Sequence, residues 1–203
     1  FKSGIIDPWF NLFIFLGNYF FIVYLIKEER KTKFIIYSAV FIGLGTLTKG
    51  PVALLVFLLT GFVYLVLHRF KMRITFTDIC LYILTFVFVG GFWFILQLLN
   101  GNYDILYDFV EYQISLFNSQ VAGHKGFFGY HFVVLLVGVF PASLLALKAF
   151  RKHKEEEPSK DLLKQWMMIL FFVVLILFSI VETKIVHYSS LAYFPLTFLA
   201  AYS

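Results

Sequence analysis

Ionisable side chains stand beside breaks between apolar runs at four places in this 203-residue chain. Their types suit an anionic lipid head and a proton transfer. Lys49 lies in Thr46-Leu47-Thr48-Lys49-Gly50-Pro51, where Gly50 and Pro51 allow a tight break between two helices. A helix that begins at Pro51 offers free backbone N–H groups, which favour anions, and a lysine beside them makes a phosphate-binding arrangement. A lysine snorkelling at the end of a hairpin has the same sequence. Asp7 precedes Pro8 at the start of an apolar run, where a carboxylate is either a proton acceptor or only the flank of a helix. His124 and Lys125 lie between Gly123 and Gly126, which let a ligand approach the backbone closely. Glu182, Lys184 and His187 crowd into seven residues, where Glu182 and Lys184 could also simply pair with each other.

Metal chemistry finds little support. His124 and His131 are seven residues apart, whereas a zinc pair sits at i and i+4 with a third ligand. Cys80 is the single cysteine, so no disulfide or cysteine metal site forms within the chain. No metal ligand set and no cofactor is expected, although assistance by a divalent metal stays open.

The elements that must carry these residues are membrane helices. The chain is 61% hydrophobic, 21% aromatic and only 14% charged, far from the balance of soluble domains. Apolar stretches of about twenty residues recur, which predicts an all-α, polytopic transmembrane bundle. Of the 17 lysines and arginines, four follow the first apolar run, three follow the third and six follow the fifth. That bias assigns those loops to the cytoplasm. It also accounts for the net charge of +5 without a nucleic-acid partner. Lys2, Lys49, Lys125 and Lys184 fall on the opposite face, with Asp7, Glu111, Glu182, His124 and His187. Topology does not require polar groups there, so they are the functional candidates.

Seven spans are expected, at residues 8–26, 34–48, 51–67, 79–99, 127–147, 166–181 and from about 185 onward. The second would be roughly 22 Å long against a core of about 30 Å. The 34–67 hairpin would therefore turn below the outer surface and hold Lys49 near membrane depth. The sixth span is also expected to be short. Residues 100–126 form an outer segment, in which Ile105, Leu106, Phe109, Val110, Ile114 and Phe117 recur at helical spacing. This fits an amphipathic helix in the interface, either a surface anchor or the wall of a lipid-facing site. Residues 148–165 are expected as a charged cytoplasmic loop. The chain opens on Phe1 and stops within an apolar run, which suggests a fragment of a longer transmembrane domain, 1–203.

Three blocks carry a resemblance: LTKGPVALLV, AGHKGFFGYHFVVLLVGVFPASLLAL and ETKIVHYSSLAYFPLTFLAAY. With the opening DPWFNLFIFLGNYFF they are similar, in order, to the lipid-linked-sugar glycosyltransferases of the 4-amino-4-deoxy-L-arabinose transferase and protein O-mannosyltransferase group. That resemblance implies a GT-C fold and transfer of a sugar from a polyprenyl-phosphate carrier to a lipid, glycan or protein acceptor. It implies a multi-pass protein of the bacterial inner membrane with its site on the outer face. Asp7 would be the second acidic site residue, with a leading catalytic Asp upstream of Phe1. Lys49 would contact the carrier phosphate, and His124, Lys184 and His187 would lie near the crevice. Relatives often carry an Arg-Phe pair after the acid of the amphipathic segment. Here Glu111 is followed by Tyr112-Gln113-Ile114, so either Lys125 or Lys184 would complete the phosphate clamp or the clamp would differ in geometry. An O-antigen polymerase or ligase would share the carrier. A transporter or flippase would instead want charges at mid-span and broken helices near the midplane.

Overall fold

The structure, a computed structural model, describes residues 6–27, 32–70, 74–118, 129–149, 158–180 and 186–202, with the side chains of 116–118 and 186–188 outside that description. Among the described residues every regular element is helical. The helices are α1 (Asp7–Ile26), α2 (Thr32–Lys49), α3 (Val52–Leu67), α4 (Phe76–Gly90), α5 (Phe92–Leu99), α6 (Tyr103–Asn118), α7 (Tyr130–Gly138), α8 (Ala142–Ala149), α9 (Pro158–Ile180) and α10 (Tyr193–Ala201), with a 3-10 turn at Val186–Ala192.

α1 starts where Asp7-Pro8 directs it, with Pro in its first turn and Asp7 among the first residues. Its buried positions, 7, 10, 11, 14, 17, 18, 21, 22 and 24, follow one helical stripe. α2 packs antiparallel along that stripe by means of small residues. A Cβ on Gly17 would stand 2.5 Å from Ile42 Cδ1, and one on Gly45 would stand 3.6 Å from Ile14 Cγ1 of α1 and 3.0 Å from the Ala53 Cβ of α3. Ser38 Oγ donates to the Gly17 carbonyl at 2.8 Å. On the other side of α2, a Cβ on Gly43 would lie 3.0 Å from the Gly90 backbone nitrogen and the Val89 side chain. Close helix approach through small residues is the packing mode expected where lipid removes the hydrophobic drive between helices.

α9 crosses against α1 and α3. Trp166, fully buried, donates its indole N–H to Asn18 Oδ1 at 3.0 Å, and Asn18 Nδ2 donates to the Ile14 carbonyl at 2.9 Å. Phe21 and Tyr64 flank the same indole, with centroids at 5.4 and 5.0 Å. At the end of the bundle where α1 finishes and α4 and α9 begin, Tyr24 donates to Asp78 at 2.5 Å and Thr75 donates to the same carboxylate. His68 there meets Gln165, whose amide donates to Asp161 at 2.7 Å.

The helices depart from the expected spans in physically readable ways. The span expected at 79–99 is bent by 61° at Gly91, and that at 127–147 by 108° around Val139–Pro141. α9 begins at Pro158, eight residues before the expected start, and runs 23 residues, about 34 Å at 1.5 Å per residue. It is not a short span. The second half of the expected 148–165 loop is therefore helix, and Lys164 is buried in it. The seventh span opens as a 3-10 turn before α10. Among the described residues α1 and α9 are each long and apolar enough to cross a membrane alone, or four spans if each bent pair counts as one.

The Gly43–Gly90 approach gives a test of the packing. Gly43→Leu should lower the thermal midpoint in detergent markedly, since overpacking costs about 1–3 kcal/mol. Gly61→Leu, where nothing lies within 4 Å of the added Cβ, should leave it unchanged. Equal midpoints for both variants would contradict the close α2–α4 contact.

Candidate functional site

α1 and α2 run antiparallel, so the N-terminus of α1 and the C-terminus of α2 meet at one end of the bundle. Asp7 is in the first turn of α1 and Lys49 in the last turn of α2. The Lys49 ammonium donates to Asp7 Oδ1 at 2.5 Å. Each charge also sits at the helix end whose dipole favours it, an anion at an N-terminus and a cation at a C-terminus. The carboxylate side chain is 9% exposed and the lysine side chain 31%. The pair is thus a rim contact, sheltered on the Asp7 side and open on the Lys49 side. Phe10, one turn beyond Asp7, places its ring 5.7 Å below the ammonium.

The turn after Lys49 is as sharp as the Lys-Gly-Pro sequence implies. Gly50 takes a φ of +88°, a conformation that glycine adopts without steric cost, and its N–H closes α2 on the Thr46 carbonyl at 2.9 Å. α3 starts at once, and its first-turn N–H groups have no intrahelical acceptor. Lys49, Gly50 and the start of α3 therefore form one compact anion-facing corner.

Two other elements reach this end. The 3-10 turn docks on α1 through Asn11, which donates to Ser190 Oγ at 2.7 Å. His187 belongs to that turn, one 3-10 turn before Ser190, and its side chain lies outside the described residues. α6 is the second element. Its half-buried stripe includes Phe109, packed against Trp93 and Phe94 of α5 at 5.8 and 5.1 Å, and Gln113 one turn further on. The Gln113 amide arrives over Gly50, where a Cβ would be 3.0 Å from both its nitrogen and its oxygen. No local pattern in the sequence marks Gln113, because the contact joins distant segments.

Among the other expected site residues, His124, Lys125 and Lys184 lie outside the described residues, as does Glu182. His131 is fully buried in the first turn of α7, edge-on to Tyr130 and near Phe178. Among the described residues no three His, Cys, Asp or Glu side chains come together as a metal site. A groove of about 610 Å³ between α3 and α9 is lined by Leu59, Val63, Met168, Phe172 and their neighbours, with Gln165 the one polar residue in its wall. It has a hydrocarbon character and does not include the ion pair.

A multi-helix membrane architecture with a sheltered acid–lysine pair, Asp7–Lys49, at one end is the class this arrangement defines. No protein-family model matches the chain. It is 25% identical over 208 residues to an undecaprenyl phosphate-alpha-4-amino-4-deoxy-L-arabinose arabinosyl transferase of Wigglesworthia glossinidia brevipalpis, covering 98% of this chain and 35% of that protein. Its fold is similar to that of ArnT from Cupriavidus metallidurans, solved with undecaprenyl phosphate bound, with a TM-score of 0.66 and 17% identity over 96% of this chain and 34% of that one. The chain spans about a third of the length of each. The resemblance to lipid-linked-sugar glycosyltransferases read from the sequence blocks is carried by both comparisons, and the all-helical membrane fold is shared.

The ion pair has a measurable signature. Asp7→Asn and Lys49→Met should each destabilise the protein by about 1–3 kcal/mol, because each strands a partly sheltered partner. The double variant should cost clearly less than the sum. Strict additivity in a thermal double-mutant cycle would mean the two side chains do not interact.

Proposed function

We propose that this chain forms part of a membrane glycosyltransferase that moves a sugar from a polyprenyl-phosphate carrier to a lipid, glycan or protein acceptor on the extracytoplasmic face. The observation that carries this reading is the Asp7–Lys49 pair at the α2–α3 corner, with Lys49 only partly covered. The sequence relative named for undecaprenyl phosphate-linked aminoarabinose transfer, and the ArnT fold solved with undecaprenyl phosphate, support it. The bacterial inner membrane follows the resemblance, and the outward orientation rests on the bias of lysine and arginine among the loops of the sequence.

In this mechanism the bond between the anomeric carbon and the phosphate oxygen breaks, and its electron pair leaves with the phosphate. The Lys49 ammonium donates to Asp7 and its side chain is 31% exposed. Its positive charge would balance the growing charge of a phosphate at this corner, which counts for more in a poorly hydrated site than in water. The α3 N-terminus adds oriented N–H groups to the same anion. The acceptor attacks the anomeric carbon and gives up its proton. Among the described residues Asp7 is the carboxylate paired with Lys49, and in this reading it receives that proton, alone or with the leading Asp expected upstream, and until then holds Lys49 in place. His124, Lys125, Lys184 and His187 belong to the same proposed rim as further phosphate or sugar contacts. The bends at Gly91 and Val139–Pro141 lie within apolar runs, with no charged residue next to them in the chain. A transporter built on broken helices would bring its charges to those breaks.

The test is transfer of labelled sugar from undecaprenyl phosphate-linked 4-amino-4-deoxy-L-arabinose by the full-length protein in membranes. Lys49→Ala should cut turnover roughly 10²-fold or more while leaving insertion intact. Asp7→Asn should reduce turnover by roughly 10²–10⁴-fold. Wild-type turnover in Lys49→Ala would remove the phosphate contact, and solute movement across liposomes without sugar transfer would replace the enzyme reading with a transporter.

A further inference from the structure

We infer that Gln113 of α6 contacts the sugar of the lipid-linked donor and sets the preference for a glycosylated over a bare carrier. This rests on the transferase reading above and adds a residue that the sequence motifs do not mark.

Three observations converge on this side chain. The first is its position. Both polar atoms of the amide lie 3.0 Å from the point where a Gly50 Cβ would be, so Gln113 occupies the space that glycine leaves beside Lys49. Any other residue at 50 would push it away and would also be strained at a φ of +88°. The second is its support. Phe109, one helical turn earlier, is held between Trp93 and Phe94, which fixes the α6 stripe over the corner. Glu111, Tyr112 and Ile114 around it are exposed, while Gln113 is half-buried. The third is its chemistry. An amide offers two donors and a carbonyl acceptor, and among the described residues no hydrogen bond occupies them.

The type of group decides what it would bind. A phosphate oxygen only accepts, and it is already served by Lys49 and the α3 N-terminus. A sugar hydroxyl both donates and accepts, which matches an amide at both of its ends. The amide is also neutral. A cation at 113 would compete for Asp7, and an anion would draw Lys49 off it. Gln113 can therefore stand beside the ion pair without disturbing it, one residue's width from the phosphate, where the first sugar ring of the donor must lie. α6 thus acts as the wall of the site rather than only as an interfacial anchor.

The experiment compares the binding of undecaprenyl phosphate with that of undecaprenyl phosphate bearing 4-amino-4-deoxy-L-arabinose, on full-length protein in nanodiscs. The variants are Gln113→Met and Gln113→Ala, with Lys49→Ala alongside. Methionine keeps the length and packing over Gly50 but removes the hydrogen bonds. Gln113→Met should weaken the glycosylated lipid by roughly five- to tenfold, the value of one net hydrogen bond, and leave the bare carrier and the thermal midpoint unchanged. Gln113→Ala should do the same to the affinity ratio. Lys49→Ala should weaken both lipids together. An affinity ratio in Gln113→Met equal to that of the wild type overturns the sugar contact, as does restoration by Met of whatever Ala loses, since packing alone would then be the role. Wild-type protein that binds neither lipid, or Lys49→Ala that binds both normally, overturns the transferase reading and this inference with it.

Discussion

One ion pair joins the parts of this molecule that matter for its chemistry. Asp7 and Lys49 are 42 positions apart in the chain and 2.5 Å apart in space. They meet because α1 and α2 are antiparallel and their lengths, 20 and 18 residues, bring opposite ends level. A charge at the edge of a membrane is costly unless it is paired or reaches water. Here the carboxylate is sheltered, the lysine side chain is 31% exposed, and each sits on the favourable end of a helix dipole. Every other feature of the site follows from that meeting. The turn at Gly50 is sharp because α2 must end at Lys49 for the pair to form and α3 must return at once. α6 can approach the corner because the residue after Lys49 has no side chain.

The rest of the bundle shows what interior polar groups do when they serve the fold. Asn18 is spent on both sides, accepting from Trp166 and donating to its own helix. Asp78 collects two hydroxyl donors, Tyr24 and Thr75, at the start of α4. Gln165 links His68 to Asp161. These groups are deep or mutually satisfied and leave little for a ligand. Burying a polar group without partners costs free energy comparable to the hydrogen bond it lacks, so such closed networks are what packing alone produces.

The sequence revealed the parts whose causes are local. Pro8 after Asp7 marked the start of α1, and the Lys49-Gly50-Pro51 run marked the break between α2 and α3, because glycine and proline restrict the backbone by themselves. The amphipathic run around Ile105 and Phe109 became α6 for the same kind of reason. Composition misled over 158–165. The charged stretch there looks like a solvated loop, yet Pro158 opens a helix and Lys164 tucks its stem against the bundle. The bends at Gly91 and Val139–Pro141 were hidden inside continuous apolar runs, where hydrophobicity is uniform and direction is set by neighbours such as Gly43 against Gly90. Asp7 and Lys49 were legible as candidates singly, but their contact was not, since pairing depends on helix lengths and register. Asn11 with Ser190 and Gln113 over Gly50 were out of reach, because each joins segments that no periodicity connects.

The two ends of the bundle separate charges that set orientation from charges that do chemistry. At the basic end, residues such as Lys27, Lys33 and Arg69 are exposed, the two lysines over the Phe34 ring and none of the three in a described ion pair. A membrane anchors by such residues without fixing their geometry, and exchanging one for another changes little. At the opposite end Lys49 is fixed by a partner on another helix and by a backbone turn that only glycine accommodates easily. Holding a flexible lysine in one place costs side-chain entropy. Solubility and topology gain nothing from that cost. A ligand that must meet the ammonium in one orientation does gain, because the ordering is complete before it arrives. The degree of fixation, more than the count of charges, therefore marks the Asp7–Lys49 corner as the working end of the chain.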